Sequence, residues 1–431
     1  MVILLPNSPE VYELALAAWK IGAVPVPLSI NAAERELREL VELADPAIMV
    51  GDGLSDERLI AVDEFYLQSQ HESDEAHPDI ESRPYKIIGT GGSTGQPKLV
   101  VAHDRGPVNP RVALTWGMRP FGVAAVVGPL YHSGPFNTGL MQLSVAGTIV
   151  LLKRFDAAEY LEVVERERVT WSFLVPTMLH RVLQLPQERL RTADLSSIEV
   201  LLLTGAATPA QFKLQAIELL GPTRVWEAYG ATEVLCSMIR GDEWLRKPRS
   251  VGRPLEGVKV RVLDQSGSEV PTGSVGEIFI RPPLGPRYSY QGGQERIVDG
   301  WVSVGDLGYV DEDGYLFIVD RRTDMIVSGG ANVYCSEVEE AILGYPGVAD
   351  VVVIGLPDDE WGQRVHAIVE PAEHVQLSAD QLRGHCKSRL ASYKVPKTFE
   401  FVGEIPREPS GKVRRAGLSS ERVDEPEEST P

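Results

Sequence analysis

Cysteine is scarce in this chain of 431 residues: Cys236, Cys335 and Cys386 are the only three. An odd, scattered set frames no disulfide scaffold and no thiolate zinc site. The eight histidines include no His-x-x-x-His pair, which excludes a helical two-histidine metal site. Positive charge is short as well, 42 Lys and Arg against 61 Asp and Glu, for a net charge of −19. That balance excludes general binding to a nucleic-acid backbone, although a local site can still be positive. Long hydrophobic runs are missing. Met1-Val-Ile-Leu-Leu-Pro6 has no basic lead, and Lys20 interrupts the next apolar stretch, so neither a signal peptide nor a membrane span is expected. What remains is 43% hydrophobic and 24% charged, the balance of a soluble cytoplasmic protein with a sizeable core and roughly two to three domains.

The pattern of short apolar runs and helical stretches predicts an α/β fold. Val2–Leu5, Val24–Leu28 and Ile48–Val50 read as strands, with helices over Pro9–Ile21 and Ala32–Ala44. The alternation resumes with strands near Ala124–Val127, Gly147–Leu152, Trp171–Val175 and Val200–Leu203, as in doubly wound parallel sheets. From Val258 to Ile280, turns at Gln265-Ser-Gly267 and Pro271-Thr-Gly273 mark a small antiparallel β subdomain. Beyond Arg321 a compact α+β stretch follows, with helices near Ser336–Leu343 and Ser378–Leu390. The expected division is a large domain over 1–320, a hinge at 321–324, a small domain over 325–418 and a disordered acidic tail over 419–431. The chain opens directly on a core strand, which suggests either a missing edge element or a true start that lies upstream.

Thr90-Gly-Gly-Ser-Thr-Gly-Gln-Pro-Lys98 carries the most chemistry per residue. Its glycines let backbone N–H groups converge on an anion, Ser93 and Thr94 add hydroxyls, and Lys98 adds a charge. It is not a Walker loop, because Pro97 precedes the lysine. Alone, such a run is as compatible with a plain surface loop. Four more segments follow in order: Ala228-Tyr-Gly-Ala-Thr-Glu233, Gly305-Asp-Leu-Gly-Tyr309, Asp320-Arg-Arg-Thr-Asp-Met-Ile-Val-Ser-Gly-Gly-Ala-Asn332 and Pro409-Ser-Gly-Lys-Val413. Together these resemble the adenylate-forming superfamily of acyl-CoA synthetases, luciferase-like enzymes and adenylation domains, over almost the whole chain.

That resemblance implies a large AMP-binding domain, a small mobile C-terminal domain, and a start truncated relative to the family. It implies ATP, Mg²⁺ and coenzyme A as cofactors and a carboxylic acid as substrate. Thr90, Gly91, Gly92, Ser93, Thr94, Gly95 and Lys98 would cradle phosphates, with Leu99 where relatives have glycine. Glu233 would hold Mg²⁺, Thr232 would reach a phosphate oxygen, and Tyr229 with Gly230 would lie against adenine beside Gly205-Ala206-Ala207. Asp306 would take the ribose and Arg321 the nucleotide at the hinge, where Thr323 replaces the usual Asp or Lys. Lys412 would bridge carboxylate and α-phosphate, and His132 would guard the acyl entrance. Gly329 and Gly330 would line the thiol tunnel after the small domain rotates, and Cys335 would be structural.

The resemblance points first to an acid–CoA ligase. A peptide-synthetase adenylation domain needs an acidic partner for an amino group, and none occurs between Tyr131 and Gly139. An acyl-AMP ligase serving a carrier protein and a non-catalytic nucleotide-binding homologue stay open, as does a homodimer. Gly91-Gly-Ser-Thr-Gly95 looks like the loop of bile-acid and steroid CoA ligases, suggesting a large apolar or cyclic acid, with a medium-chain or aromatic acid as the alternative.

Overall fold

The computed structural model describes residues 1–73, 75, 78, 80–91, 97–103, 109–293, 297–408 and 411–424, with backbone alone at Thr90, Gly91 and Asp424. Gly92, Ser93, Thr94 and Gly95, and the tail beyond 424, lie outside the described residues. The expected α/β architecture is present. Val2–Leu4 pairs in parallel with Val26–Pro27 on one side and Met49–Gly51 on the other. All three residues of that first strand are buried, as a hydrophobic run flanked on both edges should be.

A second, long sheet positions most of the cleft. Its parallel half runs Thr148–Leu151, Val123–Val126, Trp171–Leu174, Val200–Leu203, Val225–Gly230. It continues without a break into antiparallel strands Leu235–Arg240, Ser250–Pro254, Leu316–Arg321, Trp301–Val310, Gly276–Arg281 and Lys259–Leu263. The β subdomain is therefore an extension of the main sheet. A third sheet joins Lys86–Gly91, Pro97–Ala102 and Tyr288–Gln291, all antiparallel.

The small domain pairs Val348–Asp358 with Gly362–Pro371, adds Thr398–Phe401, and carries the helices Cys335–Leu343 and Ala379–Lys387. Its last element corrects the expected tail. Arg415–Asp424 is a helix, so residues 419–424 are ordered in it. The reason is tertiary: Leu418 is buried among Val352, Ile354, Leu356, Ile368 and Ile405, and Arg422 makes a two-pronged bond to Glu400 at 2.6 and 2.7 Å. Composition registers the Glu/Ser excess but not the one leucine that docks.

Candidate active site

Thr90 and Gly91 end one strand, and Lys98 stands directly opposite Thr90 on the next. The alternation of strand Tyr288–Gln291 then brings Tyr290 opposite Val100. Its ring lies 3.8 Å from the Lys98 ammonium, and its hydroxyl donates a short hydrogen bond to Glu233. Lys98 and Glu233 themselves approach to 3.9 Å. Burial lowers the Lys98 ammonium from its ordinary value, and Glu233 opposes that shift. Burial, then the Glu233 charge, raises the Tyr290 phenol, which keeps it a donor. Tyr290 was invisible to motif reasoning: it is 57 residues from Glu233, and only its Tyr-Ser-Tyr alternation hints at a working face.

Glu233 is presented by a tight turn in which Ala231 and Val234 exchange backbone hydrogen bonds at 2.7 and 3.2 Å. Thr232 sits in that turn. Gly230 is required before it, because a Cβ there would stand 2.5 Å from the Val234 carbonyl oxygen. Tyr229 points its hydroxyl to Asp306 Oδ2 at 2.7 Å. Asp306 and Arg321 face each other across the β hairpin, with Arg321 Nε 3.7 Å from Oδ1. Asp306 is 9% exposed. Burial raises its carboxyl, while Arg321 and the Tyr229 hydroxyl pull it back down. A phenol–carboxylate bond in such a place contributes about 1.5–3 kcal/mol, because the alternative is an under-bonded buried charge. Gly205, Ala206 and Ala207 follow the strand Val200–Leu203 and are exposed.

Lys412 arrives from the other domain. Glu408 donates its N–H to the Lys412 carbonyl at 2.9 Å and accepts from Gly411 at 2.7 Å, closing a turn. Gly411 has φ +79°, and a Cβ on it would lie 2.2 Å from Thr177 Oγ1, at the start of the helix Pro176–Leu183. Only glycine lets the turn rest there. The Lys412 side chain keeps contact with solvent, but both domains flank its ammonium. That desolvation, then Arg321, lowers its pKa, while Glu408, Glu233 and Asp306 act to raise it. His132 lies close enough to feel Lys412 and Glu408; burial, then Lys412, lowers its ring to about 4, so it is neutral at pH 7.

Asp306, Arg321, Glu233, Lys98, His132 and Lys412 thus meet in one cleft. Gly329 and Gly330 are not brought there. They form the exposed two-residue turn between Ile326–Ser328 and Ala331–Val333, with φ +58° and +79°, as such hairpins demand. Among the described residues no three His, Cys, Asp or Glu are gathered for a metal. A single carboxylate such as Glu233 nevertheless fits Mg²⁺, which takes one or two protein oxygens and fills its shell with phosphate and water.

A large domain holding acceptors and cations on two neighbouring sheets, and a small domain bringing Lys412 to them, define the class of adenylate-forming enzymes. The family model for AMP-binding enzymes matches residues 1–287, and that for their C-terminal domain matches 337–412. A feruloyl-CoA synthase from Amycolatopsis is 35% identical, over 95% of this chain and 86% of its own length. Among solved structures, ATP-bound MatB from Rhodopseudomonas palustris superposes with a TM-score of 0.85 at 28% identity, over 98% of this chain and 88% of that one. The o-succinylbenzoate CoA synthetase MenE from Bacillus subtilis, holding its acyl-adenylate intermediate, does so at 0.83 and 29%, over 97% and 87%. The chain belongs to the AMP-binding enzymes, and it is an AMP-forming acid–CoA ligase working through an acyl adenylate.

Proposed function

We propose that the arrangement described here is the one that performs the first half-reaction, in which a carboxylate attacks the α-phosphate of ATP and pyrophosphate leaves. The observation that carries this is that the Lys412 turn docks at Thr177, with its ammonium in electrostatic reach of Arg321, Glu233 and Asp306, while Gly329 and Gly330 stay outside. In this reading Asp306 accepts from the ribose hydroxyls, Tyr229 holds Asp306 and borders the adenine, and Gly205-Ala206-Ala207 passes the base closely. Lys98 and Thr90, with Ser93, Thr94 and the glycines 91, 92 and 95, take the outer phosphates, and Thr232 assists them. Glu233 would hold Mg²⁺, which supplies charge neutralisation on the phosphates when bound. Lys412 then neutralises charge between carboxylate and α-phosphate, where a preorganised cation is most effective. The pivot lies at 321–324, and rotation about it would withdraw Lys412 and bring Gly329 and Gly330 to the thiol path.

The acid in this reading is bulky, apolar and ring-bearing. Beside His132, Gly134 packs so closely on Phe173 that a Cβ would meet the ring at 3.2 Å, and a Cβ on Gly205 or Gly411 would come within 3.1 or 3.2 Å of Val175. The aromatic acids in the names of the ferulate and succinylbenzoate relatives support it. The three cysteines are all free and buried, in keeping with a cytoplasmic enzyme. An acid panel assayed for pyrophosphate release, with and without CoA, tests this: aryl and cyclic acids should lead, and a preference for short dicarboxylates would sink the assignment.

A further inference from the structure

The loop that carries Lys412 is tied to the large domain through Arg414 and Glu36. Arg414 donates from Nε to Glu408 at 2.6 Å and from Nη2 to both carboxylate oxygens of Glu36 at 3.4 Å. Glu408 belongs to the turn that presents Lys412, whereas Glu36 lies in the helix Glu34–Ala44 of the large domain. One guanidinium therefore links the two ends of the loop and the opposite domain. The loop's internal shape has a separate anchor: Arg407 bonds Asp350 at 2.7 and 2.8 Å and the Gly411 carbonyl at 3.0 Å, all within the small domain. Arg407 thus fixes the turn, and Arg414 fixes where the turn sits. Glu36, Glu408 and Arg414 also wall a cavity of about 150 Å³ on the seam, which extends to Tyr131 and His132.

We propose that Glu36 and Arg414 are positioning residues for adenylation: their ion pair seats Lys412 in the cleft and lets it go for thiol transfer. The inference rests on Lys412 serving the first half-reaction. Arg414 is 63% exposed and Glu36 21%, and exposed pairs shift an equilibrium by only about two- to fivefold. That is a suitable strength for a contact broken once per turnover. A buried pair would hold the small domain in place.

Glu36→Arg, Arg414→Glu and the double exchange test it, with pyrophosphate formation and the conversion of synthetic acyl-AMP plus CoA measured separately. Each single reversal replaces attraction by repulsion and should slow pyrophosphate formation by roughly five- to tenfold at low salt, without slowing thioester formation. In the double exchange the introduced guanidinium can sit between Glu408 and the introduced carboxylate, so the rate should return to within about threefold of wild type. Raising salt should narrow every difference. Unchanged pyrophosphate formation in the single reversals, an equal fall in both half-reactions, or no recovery in the exchange would overturn the proposal. Lys412→Ala, run beside them, separates the claims. Normal pyrophosphate formation there removes the role of Lys412 itself, while its loss alongside unaffected reversals removes the ion pair alone.

Discussion

On the large-domain side of the cleft, Asp306, Tyr229 and Arg321 all stand on one continuous sheet, and a 2.7 Å bond joins the first two. On the small-domain side, Lys412 rides a turn whose ties to the large domain include Gly411 against Thr177 and an exposed ion pair. Tyr229 and Asp306 are held by sheet register and a part-buried bond, which change only if the domain unfolds. The Lys412 turn is held by close contact and weak charge pairing, which can be exchanged repeatedly. The proposed two-step cycle needs this asymmetry: the nucleotide would stay while Lys412 departs. It also predicts which substitutions will affect one half-reaction and which will affect both.

The largest effect is expected from Lys412→Ala. Removing a preorganised cation should cost about 10²–10³ in pyrophosphate formation, yet synthetic acyl-AMP plus CoA should still react. Quenched-flow assay of each step checks this. Tyr229→Phe should act on both steps, because the same nucleotide cradle serves ATP and acyl-AMP. Loss of the donor to buried Asp306 should weaken ATP by about 1.5–3 kcal/mol, visible in calorimetric titration. Gly411→Ala comes next, with roughly tenfold slower adenylation from strain and the clash with Thr177. Adding Thr177→Ala should recover part of it. Gly330→Ala is the matched comparison: it has the same φ of +79° but open space around it, so it should spare pyrophosphate formation.

The smallest effect concerns pH. The His132 ring, lowered from 6.5 to about 4, should remain neutral at pH 6, and its NMR resonances should titrate only near pH 4. The unfolded chain takes up this proton below pH 6.5 and the folded chain does not. Stability therefore falls as pH drops from 6.5 towards 4, and His132→Phe should flatten that part of the curve. A His132 titration near 6.5 would place the ring in open solvent and remove it from the cleft wall.

Much of this was legible in the sequence. Strand–helix alternation located most of the parallel strands to within a residue or two, because buried runs such as Val200–Leu203 must be apolar throughout, but it missed Val225–Gly230, where Glu227 and Gly230 break the run. The motifs singled out Asp306, Glu233 and Lys412, which the fold brings within electrostatic reach of one another. What sequence could not supply were partners distant along the chain. Tyr290 reaches Glu233 only because its strand pairs with the one bearing Lys98. Thr177 explains Gly411 only once two domains touch. Glu36 is one of several glutamates on an amphipathic helix until Arg414 arrives from 378 residues away. The merging of the β subdomain into the main sheet was likewise unreadable, since strand order is set by register across the fold.

If, as proposed, the domain arrangement seen here supports adenylation and must be left for thioester formation, locking it should stop the second step alone. Arg249 and Glu340 form a second interdomain pair, 3.0 Å apart and independent of both Lys412 and Arg414. Replacing both by cysteine and joining them with a short bismaleimide would lock the arrangement, and the three native cysteines are buried and should not compete. In single turnover, the locked enzyme should release pyrophosphate and accumulate acyl-AMP while forming no acyl-CoA. Acyl-CoA formation at the rate of the unlocked enzyme would contradict the account.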